Sequence, residues 1–341
     1  MISSHTGFQS LKEVWLGDCY PAEWYCDFDN QAQDIFASIT ELTKRDLKKF
    51  QQKLEELGIV VHRPSFDDRS KFIDEDGNLI KPPITPRDWA LTLGDTLYII
   101  PQYENSFTAF EKTIDLYKKQ NQKVVVLDRS LPDPMCFVPF PSVVRVGRDI
   151  FLDCGKDSPA YAYFERIVDQ LSKKYRVHVT HTNEHHDGIF CPIKPNNIFS
   201  THYRTSYEET FPGWNVFYLN DATVRRRGNG WNGNWWVPGK NYQIYNESVL
   251  KYAHTWIGNS LETIFEVNML VADEHNIFCI AEDDRACQQL ESMGMTPHVI
   301  DFKCRGFWDG GLHCLTVDIH RLGACIDYWP HRGDPGIWFH D

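Results

Sequence analysis

An alternation of short apolar runs and helical segments limits the fold more than any other feature of this chain. TLYIIP (96–101) and KVVVLD (123–128), both short and β-rich, flank FTAFEKTIDLYKKQ (107–120), a segment of helical period. SVVRVGRDIFLD (142–153) then precedes a second such segment, YAYFERIVDQLSKKY (161–175). Earlier, residues 34–57 place Ile35, Phe36, Ile39, Leu42, Leu47, Phe50, Leu54 and Leu57 mostly three or four apart and close on Gly58. That spacing predicts an amphipathic helix with a glycine stop, and GIVVHRP reads as the strand that follows it. RACQQLESMG (285–294) predicts another helix ending in glycine. A chain that returns to a short strand after each helix belongs to the α/β class. No Pro/Gly/Ser linker or low-complexity tract interrupts the pattern, so one α/β domain over residues 1–341 is expected.

Charge and motif content narrow the function. The 35 Lys and Arg against 47 Asp and Glu leave a net charge of −12, a field that repels phosphate backbones and argues against a nucleic-acid partner. A small cation is the better match. MISSHTGFQSLKEVW lacks a basic region followed by an apolar run, and no stretch approaches the roughly 18 apolar residues of a membrane span. A cytoplasmic protein without a membrane partner is the expectation. The ten cysteines form no Cys-x-x-Cys pair, and most read as small buried apolar residues. No GxGxxG follows a strand and no P-loop occurs; the 14 histidines are scattered apart from EHH at 184–186, so neither metal nor organic cofactor is expected.

Four segments hold residues suited to chemistry. In EHHDGIF (184–190), read as a strand, His185 and Asp187 share a face while His186 points away. In GGLHCLT, Cys314 follows two glycines that permit a tight turn or a close approach, at the start of an expected strand CLTVDI. Asp88 in TPRDW precedes another expected strand and can equally cap a turn. Arg204 in FSTHYRTSY can grip a carboxylate bidentately or make a surface ion pair. A Trp-rich stretch, VRRRGNGWNGNWWVPGKNYQIY (224–245), is irregular and reads either as a solvated surface loop or as the wall of a binding site.

Taken together and in order, these segments resemble the amidinotransferases of the guanidino-group-modifying superfamily, which includes the glycine and inosamine-phosphate amidinotransferases. The resemblance runs through LKEVWLG, LEELGIVVHRP, TPRDW, RVGRDIF, HHDGIF, the arginine of STHYR, VNMLVADE, LESMG and GGLHCLTVDIHR, nearly the whole chain. It implies the pentein fold, an α/β propeller of about five ββαβ modules around a channel. It further implies Cys314 as nucleophile, His185 as general acid/base, Asp88 and Asp187 as guanidinium clamps, and Arg204 as a contact for the donor's carboxylate. No cofactor is required.

Those residue types suit that chemistry. Delocalised charge makes a guanidinium carbon a poor electrophile, so a thiolate is the fitting attacker. Two carboxylates fix the planar cation, and the bound cation lowers the thiol's pKa in turn. A histidine protonates the departing amine, leaving an amidino-cysteine for an incoming amine, or for water in a hydrolase. The resemblance therefore implies transfer of the amidino group of L-arginine to a primary amine, with release of L-ornithine. Two alternatives stand beside it: an arginine deiminase or methylarginine hydrolase, and a binding protein on the same fold with impaired catalysis. A homodimer is compatible with the sequence, which carries no feature that demands one.

The sequence departs from the family in two places. The relatives orient the catalytic histidine with an acid just before RxGRDIF, where this chain reads VPFPSVV (138–144) and sets Pro139. Asp149, Asp153, Glu184 and Glu262 are the candidates to replace it. The segment near the acceptor, serine-rich in the relatives, reads TWIGNSLETIFEVN (255–268).

Overall fold

The computed structural model of the chain describes residues 1–101, 103–128, 133–154, 159–180, 185–201, 207–219, 233–257, 266–280 and 284–333. Among these, the strands assemble into five separate three-stranded sheets. The second sheet shows the plan. β-strands Ala90–Leu93 and Thr96–Ile99 form an antiparallel hairpin, helix Glu111–Lys119 crosses over, and Lys123–Val126 returns parallel to the second strand. A parallel return needs such a crossover, which is why each sheet carries a helix. The third sheet repeats this with Val143–Val146, Asp149–Asp153, helix Phe164–Leu171 and Arg176–Thr180. The fourth uses Phe190–Lys194, Asn197–Ser200, the short helix Tyr207–Thr210 and Asn215–Tyr218. The fifth uses Leu270–Val271, Asn276–Cys279, helix Asp284–Ser292 and Thr296–Val299.

The first sheet closes the ring. Ser10–Leu16 pairs parallel with Val60–His62 after the helix Asn30–Glu56, and antiparallel with Thr316–Leu322 from the other end of the chain. The five ββαβ modules are those of a pentein propeller. SVVRVGRDIFLD is thus a hairpin, turning on Gly147 at φ 65°, rather than one run.

The long helix follows its sequence pattern. Ile35, Phe36, Ile39, Leu47, Phe50 and Leu54 are buried on one face, and Gly58 ends it at φ 74°. It starts at Asn30 rather than 34 because the Asp29 carboxylate accepts the Ala32 N–H at 3.0 Å and the Ser248 hydroxyl, which ties this terminus to helix Asn246–Ala253.

A buried charge cluster joins the inner parts of three modules. Asp318, on the last strand, meets the guanidinium groups of Arg87 at 2.5 Å and of Arg321 at 2.9 Å, together with that of Arg145. Burial alone would raise this carboxyl's pKa. The cations of Arg145, Arg321 and Arg87 outweigh that effect and hold it well below the usual carboxylate range. Residues near the N-terminus cross the same region: Ser4 donates to Asp318 at 3.2 Å, and isolated bridges link Ser3 to His320, Ser4 to Gly94 and Thr6 to Val146. None of the described helices is long and apolar enough to cross a membrane.

Candidate functional site

Cys314 lies in a turn before the last strand, which begins at Thr316; the thiol therefore precedes the strand instead of opening it. The turn is held from two sides. Arg87 Nε donates to the His313 carbonyl at 2.9 Å, and Asn268 braces Cys314 from the segment entering the fifth sheet. Space, more than backbone torsion, requires the two glycines: a Cβ at Gly311 would sit 2.6 Å from Asn268 Cβ, and one at Gly310 would sit 3.0 Å from Thr85 Cγ2 and 3.1 Å from Cys314 Cβ. The close approach foreseen for Gly-Gly is thus made to the protein's own side chains.

EHHDGIF is not a strand. His186–Gly188 forms a single 3-10 turn with His185 at its head, and the strand begins only at Phe190. The separation of the two histidines survives this correction. His186 is fully buried, its Nε2 2.6 Å from the Thr180 hydroxyl and 3.7 Å from Asp153, while His185 is half-buried.

Asp187 comes from the same turn and meets the Cys314 turn directly. Its Oδ2 lies 2.8 Å from His313 Nδ1 and 3.4 Å from Cys314 Sγ. Burial would raise the pKa of this carboxyl, but the hydrogen bond and field of His313, with the charges of His185 and Arg87, hold it below the ordinary value. His313 is pushed below the usual imidazole range, by burial first and the Arg87 cation next, against the pull of Asp187. The Nδ1–Oδ2 contact couples the two groups, and the shifts together favour an ionised Asp187 carboxylate. Asp187 Oδ1 is buried and has no hydrogen-bond partner among the described residues. The pair also borders a cavity whose lining includes Gly7, Val144, Arg145 and Cys191.

Asp88 ends the 3-10 turn Pro86–Asp88, immediately before its strand as the sequence predicts. Thr85 donates to its Oδ2 at 2.6 Å, and Lys81 Nζ lies 3.6 Å from the same oxygen. Thr85 also abuts Gly310, so this turn and the Cys314 turn are packed together. The structure thus brings Cys314 and Asp187 into contact, with Asp88 and His185 on the two turns beside them. Arg204 lies outside the described residues.

The altered segment is beside the site as well. Phe140–Ser142, headed by Pro139, packs against the His186–Gly188 turn. Of the acids named as replacements, Asp149 is taken up by Arg176 at 2.8 and 2.7 Å and by His178 at 2.5 Å. Asp153 faces Thr180 and His186, and Glu184 and Glu262 lie outside the described residues. In the Trp-rich stretch, residues 224–232 are likewise outside them. Trp236 is fully buried edge-on to Phe307, so the reading of these tryptophans as a surface set fails there, while Trp235 is 39% exposed. None of the ten cysteines is joined in a disulfide, and six of them are buried. No cluster of metal-ligating side chains occurs among the described residues.

Two participants escaped the sequence reading. His313 was visible only as the neighbour of Cys314, and Asn268 only as a member of the overlapping segments TWIGNSLETIFEVN and VNMLVADE, with no role attached to it.

The ring of five ββαβ modules has counterparts among solved structures. The inosamine-phosphate amidinotransferase of Streptomyces griseus superposes with a TM-score of 0.68 at 17% identity, over 96% of this chain and 99% of that one. An amidinotransferase of the saxitoxin biosynthetic pathway from Microseira wollei gives 0.67 at 17%, with the same coverage. This chain has the pentein fold of the amidinotransferases. A dimethylarginine dimethylaminohydrolase shares the fold at a TM-score of 0.55 and 13% identity, over 90% of this chain and 99% of its own. Among curated sequences, the L-arginine:L-lysine amidinotransferase of Pseudomonas savastanoi pv. phaseolicola is 21% identical over 96% of each chain. The mitochondrial glycine amidinotransferase of Gallus gallus is 25% identical over 54% of this chain and 39% of its own length. No protein-family profile matches the chain. The relatives found by sequence support an amidinotransferase activity.

Proposed function

We propose that this protein transfers the amidino group of L-arginine to a primary amine through an amidino-cysteine on Cys314. The observation that carries the reading is the contact of Asp187 with Cys314, 3.4 Å from carboxylate to sulfur, with the second carboxylate oxygen buried and unpartnered. A buried acceptor oxygen left unmet is costly, and a guanidinium N–H is the donor that suits it best. His313 holds Oδ2 and so turns Oδ1 toward the substrate. Asp88 supplies the second carboxylate.

In this reading the Cys314 thiolate attacks the guanidinium carbon, and the bond from that carbon to the δ-nitrogen of arginine breaks. His185 gives that nitrogen its proton, and L-ornithine leaves. The same imidazole then takes a proton from the acceptor amine, whose nitrogen attacks the amidino carbon and expels the thiolate. Arg204 is the proposed partner of the donor's carboxylate. The donor is named on the strength of the Pseudomonas relative, whose name pairs arginine with lysine. Purified protein given L-arginine and a panel of amines including glycine and lysine is expected to form ornithine only in the presence of the right amine. Citrulline from arginine alone would replace transfer with hydrolysis, the activity named for the dimethylaminohydrolase of the same fold.

A further inference from the structure

The carboxamide of Asn268 makes both available kinds of contact with one residue. Its Oδ1 accepts the backbone N–H of Cys314 at 3.0 Å, and its Nδ2 donates to Cys314 Sγ at 3.0 Å. The same Nδ2 reaches the Asp187 carbonyl at 3.1 Å, and the Asn268 carbonyl accepts the His313 N–H at 3.2 Å. Asn268 is 4% exposed, so these bonds are made away from bulk water. Gly311 is what lets the side chain in, since any Cβ there would overlap it.

We propose that Asn268 is a positioning residue for the nucleophile, fixing Cys314 against Asp187 and directing an N–H at the sulfur to stabilise it when it is charged. Asp187, 3.4 Å from the sulfur, disfavours a thiolate until a cation occupies the carboxylate. A fixed N–H donor works in the opposite sense and requires no reorganisation as the charge forms. The carboxamide orientation is set by the two Cys314 contacts, because rotation by half a turn would point oxygen at sulfur and nitrogen at an N–H.

The inference rests on Cys314 as the nucleophile, but its test needs no turnover. Asn268→Leu keeps roughly the same volume and removes the donor to sulfur without adding a charge, whereas a carboxylate at this position would raise the thiol pKa by its own field. Iodoacetamide alkylation of Cys314, read by peptide mass so that other cysteines do not interfere, should shift its pH profile upward by about one unit or more, a roughly tenfold or greater loss of rate near neutral pH. Asn268→Ala should shift it too. Leu and wild-type profiles that superimpose in folded protein would overturn the proposal. In the wild-type protein, the side-chain amide NMR signals of Asn268 should move with ionisation of Cys314 and stay still in Cys314→Ser; signals indifferent to that ionisation would also overturn it. A failed ornithine assay beside a normal thiol shift would instead count against the transferase reading.

Discussion

Gly311→Ala tests how the turn that carries Cys314 is built. Its backbone φ is not in the left-handed region, so alanine meets no torsional penalty and only space decides. The added methyl would lie 2.6 Å from Asn268 Cβ and 2.7 Å from its Oδ1, whereas ordinary van der Waals contact begins at 3.4 Å, a shortfall of about 0.8 Å. Asn268 cannot swing aside, because the clash is with its Cβ and its carboxamide is bonded to Cys314. The backbone of the turn must move instead. Overpacking of this kind costs about 1–3 kcal/mol, and displacement of a reacting atom by about 1 Å costs on the order of 10²-fold in rate. Gly310→Ala is the milder comparison: its methyl would be 3.0 Å from Thr85 Cγ2 and 3.1 Å from Cys314 Cβ, shortfalls of about 0.4 and 0.3 Å that small shifts of those side chains can partly absorb. Thermal unfolding and ornithine formation should therefore rank wild type above Gly310→Ala and Gly310→Ala above Gly311→Ala. A Gly311→Ala protein with wild-type stability and rate, or one milder than Gly310→Ala, would refute the packing argument.

Asp318→Asn should leave three buried guanidinium groups without their carboxylate, at a cost of about 3–5 kcal/mol in denaturant unfolding; an unchanged midpoint would mean that the cluster is solvated. Trp236→Ala, which removes a fully buried indole packed on Phe307, should cost about 3–5 kcal/mol, whereas Trp235→Ala should cost under about 1 kcal/mol; equal effects would contradict the assigned burial. Stability should fall on acidification. His313 and His178, depressed chiefly by burial, refuse a proton that the unfolded chain takes up below about pH 6.5, so their contribution is complete above that pH and is lost as pH falls toward their folded-state values. Asp318, Asp187 and Asp149, also depressed, add a loss of the same sign below about pH 4. Urea midpoints that rise between pH 7 and 5 would contradict this.

Much of the architecture was legible because local and tertiary demands agreed. Residues 34–57 carry a helical stripe, a glycine stop and a buried face that coincide. Where they did not coincide, the reading slipped. EHHDGIF alternates like a strand, yet His186 is drawn to Thr180 and Asp153 and bends the segment into a turn. Trp236 lies in a Gly/Asn-rich stretch of surface composition but fills a gap beside Phe307 that only tertiary contacts define. The candidate residues stand out as motifs, but their contacts do not: nothing local marks Asn268, 46 positions from Cys314, as its hydrogen-bond partner. Pro139 shows the opposite case, since a departure plain in sequence keeps its place beside the His186–Gly188 turn.

The most direct test of the account is the intact mass of the protein after incubation with L-arginine, with and without an amine acceptor. The account predicts a gain of one amidino group that maps to Cys314 and disappears when the right amine is added, with ornithine released. A protein that gains no mass and turns nothing over, or one whose adduct maps to another cysteine, would contradict it.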